Sequence, residues 1–146
     1  VVSFVSEPLY SDLAILGKIQ VVLQVSSTAE DTAFSAKLIE IKADGRAYNI
    51  RSGITTLAYR QCSGQSRTDY VPATIVEARI ECWDIAWLIK TGSRLRLDLS
   101  SSDFPQYAVH SNFTGIWSLQ DKTRIARQSI YSGSAYPSKI ILPVDE

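Results

Sequence analysis

The sequence predicts an all-β fold of the sandwich type, and three observations carry that prediction. Apolar and polar residues alternate along several short stretches. The cleanest sets Leu95, Leu97 and Leu99 against Arg94, Arg96 and Asp98, the period-two pattern of a strand with one face in a core and the other in water. Turn signals recur about every 8 to 12 residues, the usual spacing of strands in sandwiches and barrels. No amphipathic stretch at 3.6-residue spacing reaches ordinary helix length, so roughly nine short strands account for the pattern.

Residues 1–5 read as a short strand leading into Ser6-Glu7-Pro8. Ile19, Val21, Leu23 and Val25 then alternate with Gln20, Val22 and Gln24, giving one apolar and one mixed face. Residues 26–31 form a polar connection. In residues 34–42 both faces are apolar, with Phe34, Ala36 and Leu38 on one and Ile39 and Ile41 on the other, which predicts a central strand. Asp44-Gly45 signals a hairpin into a strand at 46–50. A separate strand is expected at 54–60, a Gly/Ser/Arg/Asp loop at 62–70, and an alternating strand at 74–82. Residues 84–89 read as a short helical turn carrying Trp87. After the strand ending at Leu99, a segment of Ser, Asp, Pro, Asn and Gly runs to Gly115 yet contains Phe104, Tyr107, His110 and Phe113. Large aromatic groups on irregular backbone suggest a loop that docks against something. Strands at 124–131 and 138–144 close the chain, the last flanked by Pro137 and Pro143 as suits a sheet edge.

The 146 residues fit a single domain spanning 1–146, a size that buries about 68 to 70% of its unfolded surface. Fifteen basic and fifteen acidic residues cancel, giving no electrostatic reason to expect nucleic acid or an anionic membrane as partner. The apolar runs fall far short of the roughly 20 residues that span a bilayer, so a soluble protein is expected. Cys62 and Cys82 make no disulfide framework and, with one histidine, no zinc pattern; two reduced, partly buried thiols are expected. The chain starts Val1-Val2-Ser3 and has no methionine, which suggests processing or excision from a longer protein. The expected location is the cytoplasm. In a secreted protein, the alternative, Asn112-Phe113-Thr114 would be a formal glycosylation acceptor.

A nucleophile elbow needs Gly-x-Ser-x-Gly, and the nearest stretch, Gly64-Gln65-Ser66-Arg67-Thr68, lacks its second glycine. A Ser-His-Asp triad would have to use His110, around which no serine is framed; ordinary loop hydrogen bonding is the better reading. There is no phosphate loop, His-Glu-x-x-His or EF-hand spacing, so neither metal nor cofactor is expected. Asp31, Glu40, Asp98 and Asp103 could be imagined as an acid/base pair, but such residues more often cap turns or pair with bases, for which Lys37 and Arg96 are available. Trp83, Trp87 and Trp117 could form a sugar-stacking platform, although core or interface positions are the commoner use.

Four separated motifs resemble one family. Asp31-Thr-Ala-Phe-Ser-Ala-Lys-Leu, Asp44-Gly-Arg-Ala-Tyr-Asn and Tyr59-Arg60 are similar to the DTDF-x-AKL, DGRA-x-N and RYR stretches in the C-terminal domain of X-Pro dipeptidyl-peptidases and cocaine-esterase-like acyl hydrolases. Gly92 to Gly115 resembles the same domain's SSSNFP and N-x-NTG segment, while Gln128-Ser-Ile-Tyr and Tyr136-Pro-Ser-Lys-Ile-Ile-Leu-Pro-Val look like its closing strands. Val1-Val-Ser-Phe-Val-Ser-Glu-Pro-Leu is similar to its YTSEPL opening. Asp103 stands where that family has Asn, Ser111 and Phe113 alter the Asn-x-Asn-Thr-Gly loop, and Tyr136 replaces a His.

The resemblance implies a jelly-roll β-sandwich, similar to galactose-binding domains, appended to an upstream α/β-hydrolase domain that holds the catalytic Ser, Asp and His. None of those has a counterpart here, so no catalytic residue is carried over. The partner implied is that hydrolase domain, in the same chain or a separate subunit, with self-association left open. Asp103, Phe104, Tyr107, His110, Asn112 and Phe113 are the interdomain docking candidates, and covering one flank would narrow and dry the active-site entrance. The alternative is a free-standing glycan- or protein-binding module using Trp83, Trp87 or Trp117.

Overall fold

The computed structural model describes residues 1–144. Ten strands are arranged in three antiparallel sheets: β1 (Val2–Val5), β2 (Leu13–Gly17), β3 (Gln20–Ser27), β4 (Ala33–Ile41), β5 (Ala47–Thr56), β6 (Val76–Glu81), β7 (Ile85–Ile89), β8 (Arg94–Ser100), β9 (Gln128–Tyr131) and β10 (Lys139–Ile141). One sheet runs β1-β8-β4-β5; a second has β3 at its centre, flanked by β6 on one side and by β9 and β10 in succession on the other; β2 and β7 form a two-stranded ribbon. The result is an all-β sandwich of jelly-roll type.

The sandwich interior follows from the alternation. Val21, Leu23 and Val25 of β3 and Ala78 and Ile80 of β6 meet Phe34 and Ala36 of β4 and Leu99 of β8 in one buried cluster. Leu97 packs against it and Leu95 against a second cluster, built from Ile15, Ile19, Leu38, Ile50, Cys82 and Ile89. β4 is central, paired to β8 on one side and β5 on the other, and both its faces are buried at Phe34 and Ile39. β10 lies at the end of its sheet, as its flanking prolines suggest.

Three expectations are corrected. Residues 46–50 and 54–60 are one strand, β5, followed by a 3₁₀ turn at Leu57–Tyr59. Gly53, inside this strand, lets β5 cross β6 closely: a Cβ there would sit 2.6 Å from the Glu81 carbonyl oxygen and 2.9 Å from Ile80 Cγ2. The expected helical turn at 84–89 is strand β7, paired with β2, which the alternation did not reveal. Both strands are apolar on both faces, so the period-two signal is hidden, and the ladder between them decides the conformation. The strand expected at 124–131 begins only at Gln128, and Arg124 belongs to the preceding loop.

Glu40 of β4 is fully buried between the clusters. Its Oε2 accepts from Trp87 Nε1 at 3.0 Å, its Oε1 accepts from Ser93 Oγ at 2.9 Å, and Lys42 Nζ lies 3.6 Å away. The carboxylate therefore ties β7 and the start of β8 to β4, and its partners make its burial tolerable.

Candidate functional site

The long connection from β8 to β9 lies over the end of β5 and the turn after it. It leaves Ser100 with Lys37 Nζ donating to Asp103 Oδ1 at 3.0 Å and continues through Phe104, whose ring is 72% exposed. Tyr107 is half-buried, and its amide donates to the Asp103 carbonyl at 3.0 Å. Ser52 Oγ donates to Gln106 Oε1 at 3.3 Å, fastening the same stretch to β5.

Asn112 is the node that holds the loop. Its φ of +68° puts it in the left-handed region that Asn tolerates better than most residues. Its Oδ1 accepts from Thr32 Oγ1 at 2.7 Å, its Nδ2 donates to the Arg124 carbonyl at 2.6 Å, and its own carbonyl accepts from Arg124 Nε at 2.8 Å. Arg124 also stacks over Phe113, 4.6 Å from the ring centroid, and approaches Glu30 at 3.7 Å. Gln120 closes the turn, bonding Ser111 Oγ and donating to the Thr114 carbonyl at 2.9 Å. Asn112 thus directs one hydrogen of its side-chain amide into the protein.

Beneath the loop is a cavity of about 690 Å³. Asp31, Tyr107, His110 and Trp117 line it, facing Thr56 and Tyr59 at the end of β5. Asp31 Oδ1 accepts the amides of Thr32 at 2.9 Å and Ala58 at 3.0 Å, and its Oδ2 lies 3.5 Å from His110 Nε2. His110 Nδ1 accepts the Asn112 amide at 3.0 Å. No hydroxyl or thiol among the described residues hydrogen-bonds this histidine, so the His110–Asp31 pair has no nucleophile to activate.

The other candidates lie apart or are structurally engaged. Asp98 pairs with Arg96 at 3.1 Å and Asp103 with Lys37, the bases the sequence offers. Burial pushes the Cys82 thiol up to about 11, and burial followed by the Glu81 charge raises that of Cys62; both thiols are free, and neither is an activated nucleophile. Trp87 is half-buried on β7 against Glu40. Trp83, 76% exposed, sits between β6 and β7, whereas Trp117, 56% exposed, is in a 3₁₀ turn on the cavity rim. Of the three, only Trp117 lines the cavity. Among the described residues no three His, Cys, Asp or Glu side chains come together to hold a metal.

A profile of the X-Pro dipeptidyl-peptidase C-terminal non-catalytic domain matches residues 1–141. The chain belongs to that family. The cocaine esterase of Rhodococcus sp. (strain MB1 Bresler) is 32% identical over 146 residues, covering 99% of this chain and 25% of that protein. Among solved structures, an α-amino acid ester hydrolase superposes with a TM-score of 0.87 at 24% identity, covering 99% of this chain and 25% of the other. An aminopeptidase from a marine sediment archaeon, Thaumarchaeota archaeon, gives 0.87 at 21% identity with 99% and 26% covered. The chain therefore spans about a quarter of the length of these relatives.

As a member of the non-catalytic family, the chain has no catalytic set to recover. What the sequence does not show is the floor of the loop: Thr56 and Arg124 carry no motif, and the family-like stretches holding Asp31, Thr32 and Tyr59 give no sign that these residues meet under the loop. The available signal was the Asp31-Thr32 pair, two short hydrogen-bonding side chains just before a buried strand, a pattern suited to capping backbone amides.

Proposed function

We propose that this chain is the C-terminal domain of a serine hydrolase acting on X-Pro peptides or acyl esters, and that it packs on an α/β-hydrolase domain through the β8–β9 loop. One observation carries the reading: the loop exposes Phe104, Val109, Ile116, Leu119 at 78% and Ile125 at 98%, yet it is anchored by the Asn112 network. A mobile linker would not hold apolar groups in fixed outward positions, whereas an interface needs them pre-set. Covering the hydrolase flank would restrict water at the active-site entrance, strengthening charge interactions there. The two free thiols support a cytoplasmic location over a secreted one.

In the full-length parent enzyme, Leu119→Ser and Phe104→Ser should each speed limited proteolysis between the domains and lower kcat/KM, while leaving the melting of this domain unchanged. Unaltered proteolysis and kinetics in the double variant would sink the docking surface. The isolated chain should not hydrolyse Ala-Pro-p-nitroanilide or p-nitrophenyl acetate above background. Quenching of tryptophan fluorescence by soluble sugars would point instead to a glycan-binding module built on Trp83 or Trp117.

A further inference from the structure

The cavity under the loop has chemistry that docking leaves unused. Asp31 is only 5% exposed, and its Oδ1 is occupied by two backbone amides. Its Oδ2 has a single neighbouring donor, His110 Nε2, at 3.5 Å, longer than a well-formed N–H···O bond. A buried acceptor left short of partners is costly, so Asp31 Oδ2 favours a donor from outside the chain.

The charge balance says which donor. No described Lys or Arg lines the cavity. His110 Nδ1 accepts the Asn112 amide, which leaves Nε2 as the ring nitrogen facing Asp31 Oδ2. Asp31 is the one acidic side chain among the described residues that line it. Tyr59, Tyr107 and Trp117 surround it with aromatic rings, whose faces attract cations, and Ile54 and Ile116 add aliphatic wall. A volume of about 690 Å³ lies within the range of small-molecule sites.

We propose that this cavity binds an organic cation: a primary ammonium group on an apolar body. The ammonium donates to Asp31 Oδ2, and the body lies between Tyr107, Ile116 and Trp117. An anion would be repelled by Asp31, and a neutral analogue would leave the carboxylate unpaired. The site goes beyond the docking reading, with which it shares Ile116.

The test uses the ¹⁵N-labelled 146-residue chain titrated with benzylammonium chloride, benzyl alcohol and sodium benzoate, read on the Trp117 indole and Asn112 backbone N–H signals. Benzylammonium should move both signals while leaving the Trp83 indole in place, with a Kd at least about tenfold below that of benzyl alcohol, the size of one charge-assisted hydrogen bond. Benzoate should not bind. Asp31→Asn keeps an Oδ1 acceptor for the two amides and should erase the preference. Equal binding of the alcohol or benzoate, no shift at millimolar benzylammonium, or a preference that survives Asp31→Asn overturns the site. Should Asp31→Asn fail to fold, Trp117→Leu read on the Asn112 amide decides: the benzylammonium affinity falls severalfold, or the proposal is wrong.

Discussion

At the scale of single residues, Asn112 concentrates the largest predicted effect. Asn112→Ala loses the bonds to Thr32 and Arg124 and places a Cβ-bearing residue without Asn's local compensation at φ +68°. Urea denaturation should show a loss of about 2–3 kcal/mol, from unsatisfied buried partners together with backbone strain. Asp69 sets a pH dependence. Arg60 first and Arg67 second hydrogen-bond its carboxylate and hold it at about 2, below its ordinary 3.8. With the folded value below the unfolded one, the stabilisation is present above about pH 4 and is lost as pH falls through about 2. Stability measured across that window should therefore fall less steeply in Asp69→Asn than in the parent. Neither role could be read from sequence. Asn112 shows in the sequence as a glycosylation signal and a docking candidate, and Asp69 as one polar residue in a loop, because the partners of both are fixed by the fold.

Among the elements, legibility tracked the contrast between the two faces of each strand. β3, β4, β6 and β8 each bury Val, Leu, Ile or Phe on a recognisable alternation or on both faces of a long run, and all four were visible. β2 and β7, Leu-Ala-Ile-Leu-Gly and Ile-Ala-Trp-Leu-Ile, have no polar face to mark a period and were missed or misread. The loop's docking candidates were visible as aromatics on irregular backbone, but the cavity was not, since Thr56 and Tyr59 reach it from a strand end some fifty residues earlier in the chain. The β5–β6 crossing gives a sharp prediction. Gly53→Ala forces a methyl group against the Glu81 carbonyl and should cost about 1–3 kcal/mol, measured as a lowered denaturation midpoint at unchanged m-value.

Across the whole molecule, β3 is the common partner. It pairs with β6, then with β10 along residues 20–22 and β9 along residues 24–27, and its Val21, Val22, Leu23 and Val25 are all buried. A chain ending at residue 127 lacks both C-terminal strands and should not fold, which far-UV circular dichroism and amide dispersion would show; a native-like spectrum would contradict β3's role as the hub. The same arrangement governs biosynthesis. β3 emerges from the ribosome early, but its ladder to β9 waits for residue 128, so at about 5–20 residues per second an apolar strand stays unpaired on that side for roughly 5–20 s. The nascent chain, rather than the finished sandwich, is where this apolar strand edge stands open.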